Sequence, residues 1–291
     1  MKAAPFAYER PSSLEEAFEM LATPGSKAIA GGQSLVPMMA MRLVRPSVLV
    51  DLATVPGLDQ IEDDGGWVRV GAMVRQRALE RWEPLARRVP LAAAALPWIG
   101  HRETRNRGTV GGSLVHADPA AELNLVAATL EAELVVQGEE GERTIPGAEF
   151  ATGPFQSQVG ENELLTAVRL PAARDGEGFA FDEVARRHGD FALCGVAVAL
   201  RRRGDEVTRA RVGLLGVGPA AEVHDVTDLL GDGPASGGAG PPWAAAGEAL
   251  SERIEPSGDM HASAGYRRRL ARVLVTRCLE RAWDDAGARA A

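Results

Sequence analysis

The stretch RNRGTVGGSLVHADPAAEL, residues 105–123, sets a glycine pair between Thr109 and Ser113 and follows it with Asp118-Pro119. A related run, AGGQSLVPMMAMRL, occupies residues 30–43 and carries Pro37 shortly after its own glycine pair. Glycine lets backbone amides approach a ligand closely and adopt positive φ. Consecutive amides make an anion-binding nest, and a helix N-terminus adds partial positive charge. Two such loops facing each other can hold a pyrophosphate without a lysine. Neither contains Gly-Lys-Ser/Thr, which argues against a nucleoside-triphosphate P-loop. A Gly-Gly-x-Ser turn is also ordinary loop geometry, so the residues by themselves leave both readings open. GLLGVG at 213–218 illustrates the hazard, since it imitates a dinucleotide fingerprint while reading as the end of a strand.

The rest of the chain narrows the choice. With 291 residues and 45% hydrophobic content it can bury a sizeable core and divide into two or three units. A formal charge of −8 and a pI near 5.3 offer no basic face for nucleic acid, and Arg201–Arg203 reads as a hairpin shoulder. No apolar run approaches the roughly 20 residues that span a bilayer, and the N-terminal text has no signal-peptide core, so a cytoplasmic location is expected. Cys194 and Cys278 stand alone, too few for the four thiolates of an iron–sulfur cluster. The five histidines lack the paired spacing of a zinc site. No metal of its own is expected.

Local patterns give the order of elements. PSSLEEAFEML carries a capping-box helix start at Ser12 or Ser13, and KAIAGG, SVLVDL and WVRVGA read as strands. Ala-rich helical text fills 75–96, and Asp118-Pro119 reads as a helix opening. AELVVQ and ENELLTAVRLP are further strands. GFAFDEVARR and CGVAVALRRRGDEVTRARVGLLGVG then suggest three antiparallel strands with a Gly-Asp turn. Helices are expected over 221–230, 242–253 and 262–285, with GDGPASGGAGPP as a loop.

The two glycine runs, together with FDEVARRHGDFALCGVAVAL and GYRRRLARVLVTRCLERA, resemble the FAD-binding medium subunits of molybdenum hydroxylases, the group that includes aerobic carbon monoxide dehydrogenase and xanthine dehydrogenase. The likeness covers essentially the whole chain. It implies an α+β fold: a two-subdomain, vanillyl-alcohol-oxidase-like FAD-binding domain at 1–55 and 56–174, then a C-terminal α+β domain at 175–291 with a three-stranded antiparallel sheet and helices. By the same resemblance, Ile29, Ala30, Gly31, Gly32, Gln33, Ser34 and Leu35 form the first pyrophosphate loop, and Thr109, Val110, Gly111, Gly112 and Ser113 the second. Ile99 would line the cofactor, and Ala117 and Asp118 would flank the second loop. Glu122 stands where relatives often have Asp and would hydrogen-bond the nucleotide. Leu164 would sit near the adenine and Phe191 near the flavin ring.

The resemblance further implies FAD on this chain, with molybdopterin on a large partner subunit and [2Fe-2S] clusters on a small one. The chain would be an electron-transfer subunit, an FAD-dependent oxidoreductase component without a catalytic residue of its own. Two other readings remain beside it: a stand-alone flavoenzyme acting on a small molecule, and a non-catalytic assembly protein on the same fold. The intact glycines disfavour the last.

Overall fold

The computed structural model describes residues 2–230 and 242–290. The chain opens with β1 (Ala7–Glu9), α1 (Leu14–Leu21), β2 (Ser26–Ile29), α2 (Leu35–Ala40) and β3 (Val48–Asp51). The strands form a parallel sheet in the order β1-β3-β2. The Ser13 side chain caps α1 by accepting from the Glu16 amide at 3.2 Å, and the Glu16 carboxylate accepts from the Ser12 amide at 2.7 Å. This reciprocal pairing is the capping box shifted back by one residue. Ala17, Phe18 and Leu21 of α1 then bury against Val50. Ile29 pairs with Asp51 at the carboxyl ends of β2 and β3, so the first glycine loop leaves from the edge where parallel sheets commonly receive ligands.

The next region contains β4 (Ile61–Asp63), β5 (Trp67–Gly71), six helices in succession, and then the strands that complete a second sheet with a seventh, short helix among them. The helices are α3 (Gln76–Glu80), α4 (Leu85–Arg88), α5 (Pro90–Ala95), α6 (Arg102–Arg107), α7 (Val110–His116) and α8 (Glu122–Thr129). After them come β6 (Glu133–Gly138), β7 (Gly141–Pro146), the short α9 (Gly147–Phe150), the β8 (Ala151–Gly153) and β9 (Gln156–Ser157) hairpin, and β10 (Glu163–Pro171). The antiparallel order is β4-β5-β10-β6-β7. Val68, Val70, Leu134, Val136 and Leu165 pack with Leu79, Leu91, Leu96 and Leu125 of the helices. Leu164, on the opposite face of β10, joins the core of the first sheet with Val50 and Leu52.

Asp118 does not open α8. Its Oδ1 accepts from the Ala120 amide at 2.9 Å and closes a local turn, and the helix starts at Glu122 with Ala121 in the capping position. Asx turns compete with helix caps for the same side chain, and Pro119 lies within the turn.

The last region has β11 (Glu177–Ala185), β12 (Ala192–Arg203), β13 (Glu206–Leu215) and β14 (Glu222–Asp225), paired antiparallel in chain order. The sheet therefore has four strands rather than three. The helix expected over 221–230 is instead β14 and a 3-10 turn at Thr227–Leu229. Glu222–Asp225 pairs with Leu214–Arg211, and the Asp225 carboxylate accepts from the Thr227 amide at 2.9 Å, stopping the strand. α10 (Trp243–Arg253) and α11 (Ala264–Ala290) follow. The GDGPASGGAGPP loop falls outside the described residues except for its final Pro242.

One face of this sheet, with Val196, Val198 and Leu200, packs on Leu274, Val275, Cys278 and Leu279 of α11. The other, with Phe181, Ala197 and Leu215, joins the helical core of the preceding region. Among the described residues no helix is long and apolar enough to cross a membrane.

Candidate cofactor-binding site

A cleft of about 490 Å³ opens at the carboxyl ends of β2 and β3, walled by Ile29–Gln33, Val36, Pro37, Tyr8, Asp51, Ala53, Arg75 and Arg107. Gly32 has φ +70°, a left-handed conformation that turns the chain out of β2 into α2. The amides of Gly31, Gly32, Gln33, Ser34 and Leu35 donate to no protein acceptor among the described residues, and helical bonding begins only at Val36, whose amide reaches the Gly32 carbonyl at 3.0 Å. A run of uncommitted amides is what an anion needs.

The second loop is built differently. The Val110 amide donates to the Val74 carbonyl and the Gly111 amide to the Ala72 carbonyl, both at 2.9 Å. The Gly112 amide donates to Thr109 Oγ1 at 3.0 Å, and the Ser113 amide to the Thr109 carbonyl at 3.2 Å. The first two amides stitch the start of α7 to the segment just after β5, and the other two are taken by Thr109, so they are not the free nest that the sequence suggested. A Cβ on Gly111 would fall 2.4 Å from the Ala72 Cβ, and only glycine fits. The two loops touch: a Cβ on Gly31 would lie 2.4 Å from the Arg107 carbonyl oxygen, and one on Gly112 would lie 3.4 Å from the Ala30 Cβ. The second loop is the wall against which the first is held.

Sequence reading overlooked two arginines. Arg107 ends α6 beside the second loop, while Arg75 forms an antiparallel bridge with Thr109 and donates through Nη1 to the Arg107 carbonyl. Both line the cleft. Arg107 lay within the quoted motif, but only the tertiary bridge to Thr109 brings Arg75 there. On the opposite side the Tyr8 hydroxyl donates to the Asp51 carboxylate, and that bond leads the causes holding the phenol above its usual value. Asp51 Oδ1 also accepts from the Ala53 amide at 3.0 Å. Free amides, close glycine backbone and two guanidinium groups fit a pyrophosphate.

The remaining predicted residues are not among those that line this cleft. Ile99 is buried in the helical core, and its carbonyl accepts from Arg105 Nη1 at 3.0 Å. Arg105 is itself an anchor: buried, it pairs with Glu80 at 2.9 Å and 3.2 Å and also reaches the Gly100 carbonyl at 3.1 Å. Ala117 ends α7 at φ +48°, and its carbonyl accepts from the Phe155 amide at 2.8 Å. Glu122 is buried at the start of α8, where loss of water pushes its carboxyl up to about 7. Leu164 lies in the core of the first sheet rather than on the cleft wall. Phe191 is 74% exposed just before β12, so it is not a core aromatic.

Comparison with known proteins agrees with this architecture. Residues 4–173 match the model of the FAD binding domain in molybdopterin dehydrogenase, and residues 179–282 that of the CO dehydrogenase flavoprotein C-terminal domain. The nicotine 6-hydroxylase medium subunit of Paenarthrobacter nicotinovorans is 40% identical over 292 residues, covering 99% of this chain and 100% of the relative. The carbon monoxide dehydrogenase medium chain of Hydrogenophaga pseudoflava is 34% identical over 285 residues, 96% of this chain and 97% of the relative. Among solved structures, a carbon monoxide dehydrogenase from Hydrogenophaga pseudoflava superposes with TM-score 0.91 at 33% identity, covering 98% of this chain and 99% of that one. Quinoline 2-oxidoreductase from Pseudomonas putida 86 gives 0.90 at 35% identity with full coverage of both chains. A parallel sheet whose carboxyl edge holds free amides and two arginines, joined to matches over nearly every residue, leads to one assignment: the chain belongs to the FAD-binding medium subunits of molybdopterin dehydrogenases.

Proposed function

We propose that this chain is the electron-exchange subunit of a heteromeric molybdenum hydroxylase. It receives electrons from iron–sulfur clusters on a small partner subunit, ultimately from a molybdopterin-bearing large subunit, and passes them to an external acceptor. The observation that carries the reading is the run of uncommitted amides from Gly31 to Leu35, of which Gly31–Gln33 line one cleft with Arg75 and Arg107. When bound, FAD supplies the conversion between single electrons and electron pairs. This chain's own residues bind and orient it. The first loop and the two arginines take the pyrophosphate, and Thr109–Ser113 brace that loop from behind. Ile99 would line the cofactor, Ala117 and Asp118 would flank the second loop beside it, and Glu122 would hydrogen-bond its nucleotide portion.

In this reading the units 1–55 and 56–174 grip the cofactor between them, and 175–291 covers the flavin end with Phe191. Leu164 acts at the adenine end through the packing of β10 on the first sheet. Support for the partners comes from relatives that are named as medium subunits or medium chains. Those names and the solved structures refer to nicotine, carbon monoxide and quinoline, a spread that agrees with the substrate binding elsewhere. Cys194 and Cys278, both free, agree with a cytoplasmic assembly. Purification from native cells through a tag on this chain tests the proposal. Co-elution of chains carrying molybdopterin and iron–sulfur clusters is expected. A fully active flavoenzyme that elutes alone and oxidises an organic substrate would overturn it.

A further inference from the structure

Tyr8 lies on β1, and Asp51 is the last residue of β3, the strand between β1 and β2. Ile29 pairs with Asp51 across β2 and β3, so the carboxylate stands beside the strand end from which the first glycine loop leaves. Both residues wall the cleft that Gly31, Gly32, Arg75 and Arg107 also line. The Asp51 side chain is 14% exposed, too covered for an ordinary solvated acid. Its Oδ2 accepts from the Tyr8 hydroxyl and its Oδ1 from the Ala53 amide at 3.0 Å. Among the described residues its nearest cation is Arg10, whose Nε stands 4.0 Å away on a mostly exposed side chain.

A carboxylate has about four acceptor sites and no donor, so Asp51 keeps acceptor capacity beyond its two bonds. Tyr8 has given its one proton to Asp51, and its oxygen meets a ligand as an acceptor only. The cleft therefore has a cationic side at Arg75 and Arg107 and an acceptor side at Asp51 and Tyr8. Phosphoryl oxygens match the guanidinium groups and are repelled by the carboxylate. The diol of a ribose has the opposite character, since it offers two hydroxyl donors on adjacent carbons. We infer that Asp51 and Tyr8 recognise the ribose of the adenosine end of FAD, Asp51 accepting from one hydroxyl and Tyr8 Oη from the other. The inference rests on the proposed function, because it needs FAD in this cleft. Packing fixes which end lies here: Leu164, assigned to the adenine end, shares a core cluster with Val50 and Leu52, the residues that flank Asp51. A site that commits covered acceptors to a hydroxyl discriminates against a ligand lacking it.

The test titrates the full FAD-free chain with two ligands: FAD, and an analogue assembled from FMN and dideoxy-ATP, which lacks both hydroxyls of the adenosine ribose and keeps the ribityl chain. Wild-type protein should prefer FAD by about tenfold or more, the effect of losing a hydrogen bond to a charged acceptor. In Asp51→Ala the preference should fall close to unity, and in Tyr8→Phe it should be reduced but not lost. Any loosening of the glycine loop in Asp51→Ala weakens both ligands alike, so the ratio isolates the sugar contact. Thermal melts check folding. Should Asp51→Ala fail to fold, Asp51→Asn keeps the shape and the acceptor for the Ala53 amide while removing the charge, and it too should lower the ratio. Equal binding of the two ligands by the wild type, or a wild-type preference retained in the folded Asp51 variant, would overturn the inference while leaving FAD binding in place. A full preference in Tyr8→Phe would overturn the part given to Tyr8. A folded wild-type chain that binds neither ligand would defeat the proposed function and this inference with it.

Discussion

The place where a side chain on Gly31 would begin lies 2.4 Å from the carbonyl oxygen of Arg107 and 2.8 Å from the Cα of Gly108. Both neighbours are backbone and cannot swing aside, so Gly31→Ala must part the two loops. We expect a loss of about 1–3 kcal/mol of stability from the overpacking, and a fall in FAD affinity of more than about tenfold, or 1.4 kcal/mol. Thermal melts and flavin-fluorescence titration measure the two separately.

Gly112→Val should act by the same route. Its Cβ would meet Thr109 Oγ1 at 2.7 Å and the Ala30 Cβ at 3.4 Å, so it presses on the second loop's cap and on the first loop. It does not enter the phosphate's space directly. FAD binding should drop while most of the fold survives, and a folded variant with wild-type affinity would refute the bracing role.

These contacts show what the sequence could and could not disclose. The first glycine pair, after a short strand and before a proline-bearing helix, read as an anion nest or as an ordinary turn, and the structure leaves its amides free as the first reading requires. The second loop looked equivalent, yet Val110 and Gly111 donate to carbonyls of Val74 and Ala72, partners that a linear motif cannot reveal. Arg75 was invisible for the same reason, since its place follows from a bridge to Thr109. In the C-terminal region, Glu222–Asp225 was too short and polar to declare itself a strand. Only pairing with β13 makes it one. For Phe191 the sequence does not show exposure, and the ring stands 74% exposed before β12.

Arg75→Ala and Arg107→Ala should each weaken FAD binding by about 1.5–3 kcal/mol if the guanidinium groups meet the pyrophosphate, the usual range for charge-assisted hydrogen bonds. The losses should shrink at high salt. Arg203→Ala, at an exposed position in the C-terminal sheet, is the control and should leave affinity unchanged. Isothermal titration at two ionic strengths distinguishes these outcomes.

Arg105 should behave as a structural anchor. Removing a buried guanidinium that pairs with Glu80 and binds the Ile99 and Gly100 carbonyls leaves Glu80 with Arg77 alone, at 2.9 Å, and both carbonyls without this donor. Such losses cost about 3–5 kcal/mol. Urea denaturation of Arg105→Met should show this in the FAD-free chain, whereas Phe191→Ala, at a 74% exposed position, should stay within about 0.5 kcal/mol of wild type. Phe191→Ala should instead alter the bound-flavin absorption spectrum, and an unchanged spectrum would remove Phe191 from the ring environment.

The central claim is that the cleft between the first loop and Arg75 and Arg107 holds FAD. Its most direct test is titration of the folded, full-length chain with FAD, followed by gel filtration and an absorption spectrum of the protein peak. One oxidised flavin per chain is expected, with binding sharply reduced in Gly31→Ala and retained in Arg203→Ala. A folded wild-type chain that emerges free of flavin, or a Gly31→Ala chain that keeps it with unchanged affinity, would contradict the account.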